Sequence, residues 1–522
     1  MSPLFSTQSL LIPFFIIICY LYFSNNNNNN NKSKSTTSKS ILRSYPLLGT
    51  LPQFIKNRHR FLDWATEILA SSPTNTLTFH RPGGIHGVST ANPLVVEYIL
   101  KTNFHNYPKG PRFTSYLHDF LGQGIFNSDS HLWKLQRKTA SFEFNTKSLR
   151  NFAAENVKFE LQSRLLPLLH NSAHTNTPID LQDLLERFAF DNVCKLAFNV
   201  DPKCLSSLSL SSQHDEKNHS VVGADFMQAF EDAATLSAGR FMYALPNLWR
   251  LKKRFNIGSE SRLKESIKTV HEFADRIIRS RLASRDGSGL GSDLLSRFIT
   301  SGHDSPELLR DIVISFILAG RDTTSSALSW FFWVLASRPD VERSVVEELG
   351  EIRVRNGKRV GAAYSLEELR EMNYLHAAIT ESMRLYPPVP VDEKECLEED
   401  VLPDGTFVGK GWFVSYNTYA IGRMESVWGK DCKEFVPERW LENGTFQAQN
   451  AFRYPIFHAG PRICLGKDMA YIQMKAIAAS VIEQFVVEIL EKDKPPAPLL
   501  SLTLRMKEGL TVRVKERLQL DI

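Results

Sequence analysis

A chain of 522 residues that is 43% hydrophobic, 23% charged and 11% aromatic has the make-up of a folded protein, which excludes wholesale disorder, a collagen-like repeat and a disulfide scaffold. Its six cysteines (Cys19, Cys194, Cys204, Cys396, Cys432, Cys464) show no paired spacing, so reduced thiols in a cytosol-facing protein fit best. The net charge of +5 belongs to the N-terminus: Lys32, Lys34, Lys39, Arg43, Lys56, Arg58 and Arg60 precede the first acidic residue, Asp63, and the rest lacks the concentrated basic face of a nucleic-acid binder.

Residues 3–23 carry no charge and are long enough for a helix across a bilayer. Basic residues follow the apolar run rather than precede it, which favours an uncleaved signal anchor whose C-terminal side faces the cytosol. The asparagines 25–31 and the Lys/Ser/Thr stretch after them cannot pack a core and read as a flexible spacer. Pro46, Gly49 and Pro52 then make a stiff extended turn. Two linker-like breaks follow, at 201–223 and 285–292; the glycines of the second lack the G-x-G-x-x-G spacing of a nucleotide loop. Residues 181–200, 224–240, 262–282, 307–335 and 366–385 show helical apolar spacing. Strand-like runs are short: 75–79, 406–408, 412–416 and 510–514. The expected fold is predominantly helical with small sheets.

The best-defined predicted helix starts at Asp304-Ser305-Pro306-Glu307, with a cap, a first-turn proline and an acid on the helix dipole. Ala319-Gly320-Arg321-Asp322-Thr323-Thr324 interrupts its apolar middle. Gly320 costs about 1 kcal/mol against alanine in a helix. Two readings remain for it: space for a cofactor on that face, or a tolerated glycine. Thr323 is placed to bond back to the carbonyl of residue 319, with a carboxylate beside it. Glu381 and Arg384 share one helix face, as a surface ion pair would. Arg439 sits in the aromatic segment 435–440, and Trp133 and Arg137 lie one turn apart on another predicted helix. The segment Phe457-His-Ala-Gly460-Pro-Arg462-Ile-Cys464-Leu-Gly466 is the most informative. Its single cysteine lies between glycines, two residues after an arginine and ahead of a helix-like run over 467–490. Loop amides and the helix dipole stabilise a thiolate there, the glycines admit something flat, and Arg462 supplies a cation. A four-cysteine zinc or iron–sulfur site is excluded because no second cysteine lies nearby, and one thiolate on a planar anionic cofactor points to haem. The other five cysteines read as small buried hydrophobes.

Four motifs, in order and at familiar distances, resemble the cytochrome P-450 superfamily of haem-thiolate monooxygenases. They are Trp133-x-x-x-Arg137, Ala319-Gly320-x-Asp322-Thr323, Glu381-x-x-Arg384 and Phe457-x-x-Gly460-x-Arg462-x-Cys464-x-Gly466. Phe126-Asn-Ser-Asp129 and Leu385-Tyr-Pro-Pro-Val-Pro-Val-Asp392 look most like the plant fatty-acid ω-hydroxylase group. The resemblance spans residues 1–520. It implies a membrane anchor over 1–24, a basic spacer over 25–43 and one mainly α catalytic domain of the P-450 fold, with small sheets, over 44–522.

The resemblance also implies roles. Cys464 resembles the axial iron ligand of haem b. Asp322 and Thr323 match the acid–alcohol pair that manages protons on dioxygen. Trp133, Arg137 and Arg462 fall where the family binds haem propionates, with Phe457, Gly460 and Gly466 around the thiolate. Glu381, Arg384 and Arg439 look like the buried structural network behind the haem. One departure is that no arginine follows Pro387-Pro388; Lys394 is the available substitute. Phe113, Tyr116, Leu117, Phe120, Phe316, Ala319 and Val389 fall in segments that line the family's substrate pocket. Lys109 and Arg112 are placed to hold a carboxylate at its mouth, or else are ordinary loop cations.

Without a flavin or nicotinamide domain, electrons are expected from NADPH–cytochrome P-450 reductase, for which Lys134, Arg137 and Lys138 make a basic patch or simply a solvated face. The expected reaction is hydroxylation of a lipophilic substrate with O2 at the endoplasmic reticulum membrane. A fatty acid attacked at or near the ω carbon comes first, and a sterol or jasmonate-type side chain second. A reductase-independent isomerase or lyase, or a non-catalytic haem carrier, would have no need of Asp322-Thr323. Asn31, Asn218 and Asn443 head glycosylation sequons that matter only if luminal.

Overall fold

The computed structural model describes residues 42–144, 147–206, 224–283, 293–302 and 305–517. The expected anchor, the spacer up to residue 41, Asn218 and Asp304 lie outside the described residues, as does Asn31. Among the described residues no helix is long and apolar enough to cross a membrane. The described residues from Ser44 onward form one compact unit.

Helices dominate that unit. Helix α1 (Gly110–Leu121) and α2 (Ser130–Phe144) are followed by α3 (Leu181–Phe198), α4 (Ala224–Gly239) and α5 (Ser259–Ala283). The long predicted helix is divided. Its first half, α6 (Pro306–Ile317), passes through a π-helical turn, Leu318–Asp322, into α7 (Thr323–Leu335). Ser305 caps α6 as its sequence implies, accepting the Leu308 N–H at 3.2 Å. Helices α8 (Pro339–Asn356), α9 (Asn373–Leu385) and α10 (Lys467–Gln484) complete the set that positions the site.

Two predicted helices are shorter than their apolar patterns suggest. The one over 366–385 breaks at Met372, whose backbone leaves the helical region. The Glu348 carboxylate, from α8, accepts the Tyr374 and Leu375 N–H groups at 2.7 and 2.9 Å and so caps α9 from outside. The one over 467–490 ends at Gln484. Phe485–Ile489, with two adjacent valines, instead pairs antiparallel with Thr511–Glu516.

Strands β1 (Thr76–Arg81), β2 (Ile85–Thr90), β3 (Asp392–Glu395) and β4 (Phe413–Tyr416) form a sheet in the order β1-β2-β4-β3, with β2 and β4 parallel. The sequence of β3, Asp-Glu-Lys-Glu, has no apolar alternation, and its charges are buried against partners described below. The core has two large clusters. One gathers α6 through Leu318 with Phe120, Phe190, Phe230 and Phe273; the other gathers α7 from Ala327 onward with Phe188, Met383, Tyr471 and Ile477. Each buried leucine or phenylalanine contributes roughly 1.5–3 kcal/mol. The π turn lies where one cluster gives way to the other.

Candidate active site

Cys464 is held in a tight loop. Its N–H donates to the Phe457 carbonyl at 2.8 Å, and α10 begins three residues later. Among the described cysteines it alone is exposed; Cys194, Cys204, Cys396 and Cys432 are buried, as small hydrophobes are. Protein nonetheless walls the sulfur on most sides. That burial pushes the thiol up, while the Gly466 amide, Arg137 and Lys467 favour the thiolate. Gly460 has a left-handed backbone (φ 65°) and faces the Leu100 carbonyl so closely that a side chain has no room. Phe457 packs on Tyr471 with ring centroids 5.3 Å apart.

The arginines beside this loop differ in how they are used. Arg137, half-buried on α2, has no hydrogen bond or ion pair among the described residues, and it lies close enough to Cys464 for their charges to interact. Arg462 lies 4.3 Å from the centre of the Trp133 ring and pairs with Asp129 at 2.6 Å; its Nε has no partner. An exposed thiol with an amide donor, an unpaired arginine and an orphaned guanidinium nitrogen fit a planar group that is ligated through its metal and carries anionic edges. Lys394 does not stand free for such an edge: it is fully buried and pairs with Asp392 at 2.6 Å.

Across the fold, the π turn carries the polar pair. The Thr323 hydroxyl donates to the Ala319 carbonyl at 2.7 Å, the back-bond that loosens a helical turn. Ala319 and Thr323, one turn apart, stay partly exposed on an otherwise buried helix. Asp322 is buried, and Arg321 Nη1 donates to it at 2.8 Å. Burial raises the Asp322 carboxyl above its ordinary value. Gly320 does not make room for a cofactor. A Cβ there would lie 2.5 Å from Val193 of α3, so the glycine permits close helix packing.

Glu381 and Arg384 are no surface pair. Both side chains are fully buried, and they form two parallel bonds of 2.7 Å. Arg439 Nε and Trp440 Nε1 each donate to Glu381 at 2.8 Å, and Arg384 also bonds to the Cys432 and Glu434 carbonyls. Every member is satisfied by a partner, which is what a buried charge requires.

The expected pocket residues do not all meet. Phe316 stacks on Phe144 at 6.0 Å, and the ring of Phe144 also neighbours Gly466. Ala319 and Val389 are partly exposed. Phe113 and Tyr116 pack instead on Phe241, at 5.6 and 4.9 Å. Leu117 and Phe120 are core residues, 1% and 0% exposed, with Phe120 against Phe230. They shape a wall from behind rather than line it. The carboxylate clamp is also corrected. Lys109 pairs with Asp392 at 2.6 Å and Arg112 with Glu393 at 2.5 Å, so both cations serve β3. Asp392 additionally accepts from Lys394, Tyr416 and His458. Lys134 and Lys138 are exposed on α2. Sequence reasoning missed Glu186 and Arg505, which meet Arg321 and Asp322 only through the tertiary fold; the arginine inside the Ala319–Thr324 interruption was the available signal.

Known proteins bear on this geometry. The family model described as Cytochrome P450 matches residues 40–512. The chain is similar to cytochrome P450 CYP94D108 of Paris polyphylla, 53% identical over 470 residues, covering 90% of this chain and 91% of that one. It is similar to cytochrome P450 94A1 of Vicia sativa, 46% identical over 91% of this chain and 90% of that one. It is likewise similar to cytochrome P450 94B1 of Arabidopsis thaliana, 46% identical over 93% of each.

Proposed function

The chain belongs to the cytochrome P450 family, and from that premise we propose that it hydroxylates a fatty acid at or near its ω carbon. The family and its relatives here make it a monooxygenase of the CYP94 group, the fatty-acid ω-hydroxylase group that its motifs resemble. Such enzymes use haem, dioxygen, a redox partner and a lipophilic substrate. Haem b, when bound, supplies the iron at which dioxygen is activated. Cys464 would ligate that iron as a thiolate favoured by the Gly466 amide. Arg137 and the free edge of Arg462, stacked on Trp133, would hold the propionates. Asp322 would hold a proton and Thr323 would pass it on through its hydroxyl, with Phe316, Ala319 and Val389 keeping the substrate side apolar. Electrons would come from NADPH–cytochrome P450 reductase docked near Lys134 and Lys138, with residues 1–24 anchoring the enzyme in the endoplasmic reticulum membrane.

The observation that carries the reading is the exposed residue Cys464 beside Arg137, which has no partner among the described residues. The test is twofold. Cys464→Ala is expected to lose the thiolate-type ferrous–carbonyl spectrum, and an unchanged spectrum would sink the ligand assignment. The wild-type protein with reductase and a panel of lipids is expected to give ω-hydroxy fatty acids by mass spectrometry. A second reading, hydroxylation of a sterol or jasmonate-type side chain, draws on the pairing of Lys109 and Arg112, which leaves neither to hold a carboxylate.

A further inference from the structure

Five charged side chains form a continuous path behind the π turn. Glu231 of α4, 30% exposed, lies 2.7 Å from Arg505 Nη1. Arg505, on the short strand Leu504–Met506, donates from Nε and Nη2 to Glu186 Oε1 at 3.0 and 2.5 Å. Arg321 Nη2 donates to Glu186 Oε2 at 3.1 Å, and Arg321 Nη1 donates to Asp322 Oδ1 at 2.8 Å. The inner three members, Glu186, Arg321 and Asp322, are buried.

The charges on this path do not balance. Three carboxyl groups face two guanidinium groups, and arginine does not release its proton in proteins. Fully ionised, the path carries one surplus negative charge with Glu231 at its exposed end, and binding one proton at a carboxyl removes it. Burial pushes Glu186 up to about 7 and raises Asp322, against the pull of Arg321 and Arg505. The Cys204 thiol, itself pushed up by burial, is a further titratable group near Arg321.

We propose that Glu186 is a positioning residue for proton delivery: by sharing Arg321 with Asp322, it keeps the Asp322 carboxyl able to hold a proton. It acts through Arg321 and touches no reacting atom. The proposal rests on the reading of Asp322 as the acid of the pair.

Replacing Glu186 by glutamine leaves two carboxylates for two arginines, so Asp322 has no surplus charge to relieve and stays ionised. In Glu186→Gln, product formed per NADPH is expected to fall several-fold at neutral pH, with its pH midpoint moved lower. Arg505→Gln leaves three carboxyls on one arginine and is expected to move that midpoint higher. Glu186→Asp, which keeps the charge, is expected to restore the wild-type midpoint. Infrared titration of the protein as purified supplies a readout apart from turnover. A protonated-carboxyl band is expected in the wild type and is expected to vanish both in Asp322→Asn and in Glu186→Gln; a band that survives Asp322→Asn and is lost only with Glu186 would place the proton on Glu186 and overturn the proposal. Midpoints that do not move, or that move the same way in Glu186→Gln and Arg505→Gln, would overturn the role of Glu186. Asp322→Asn separates the two levels. If it still couples reductant to product normally, the reading of Asp322 fails and this proposal with it; if it uncouples while Glu186→Gln shifts nothing, only Glu186 is misassigned.

Discussion

Lys109 has the sequence context of a loop cation, yet only 9% of its side chain is exposed and its ammonium group is bound to Asp392. Replacing it removes a charge-assisted bond from a buried carboxylate, worth roughly 1.5–3 kcal/mol. Lys109→Met is therefore expected to lower the denaturation midpoint. The ratio of free fatty acid binding to methyl ester binding is expected to stay at its wild-type value, because no clamp is lost; spectral titration with the two ligands checks this. Arg384 is more consequential. Alanine there strands Glu381 among Arg439, Trp440 and the Val436 amide with a buried charge only partly compensated. Removing one partner of a buried pair typically costs about 3–5 kcal/mol. Arg384→Ala is expected to show that loss in chemical denaturation, and a loss below 1 kcal/mol would class the pair with exposed ones.

At the scale of elements, the π-helical turn Leu161–Leu165 is tied down by charge. Arg164 pairs with Glu160 and Asp201 at 2.5 and 2.6 Å and approaches Asp191 at 3.7 Å. Burial, aided by the two aspartates, pushes Glu160 up to about 7 from its ordinary 4.5, although Arg164 opposes the shift. The folded state then holds a proton that the unfolded chain has released between those values. Its stabilising effect is complete below about 4.5 and is lost as pH rises through about 7. Asp191 is raised as well and acts in the same sense, while Asp201 is lowered, so its effect falls below this window. Stability is expected to decline with pH across the window by up to about 1.4 kcal/mol per unit, and Glu160→Gln to flatten the decline. Urea denaturation at a series of pH values checks both. The same elements show what a sequence can reveal. The helical periods of α3, α4 and α5 are set by which face meets the core, and they are readable as apolar spacing. The break at Met372 is set by Glu348 from another helix, and β3 owes its place to Lys109, Arg112 and Tyr416, remote in the chain. The Cys464 loop was legible because its glycines, arginine and cysteine lie together in sequence. Glu186 and Arg505 were not, because they are 319 residues apart and share a hydrogen bond only once folded.

For the whole molecule, orientation in the cell can be tested at one described sequon. Asn443-Gly444-Thr445 is exposed at the turn between Leu441–Glu442 and Thr445–Phe446, open to a glycosyltransferase if it were ever luminal. For the cytosol-facing enzyme proposed above, glycosidase treatment of membrane-expressed protein is expected to leave its mass unchanged; a shift would reverse the orientation. A last consequence concerns mechanics. Helices α6 and α7 are rooted in different hydrophobic clusters and joined through five π-helical residues, while α3 ties the two clusters together with Phe188 in one and Phe190 in the other. The cluster of α6 takes in α1, α4 and α5 as well. The other cluster includes Tyr471 and has Phe457 packed against it, beside the loop that presents Cys464. For the hydroxylase proposed above, that division would let the α6 cluster yield to a bulkier substrate while the cluster behind the Cys464 loop keeps its registry.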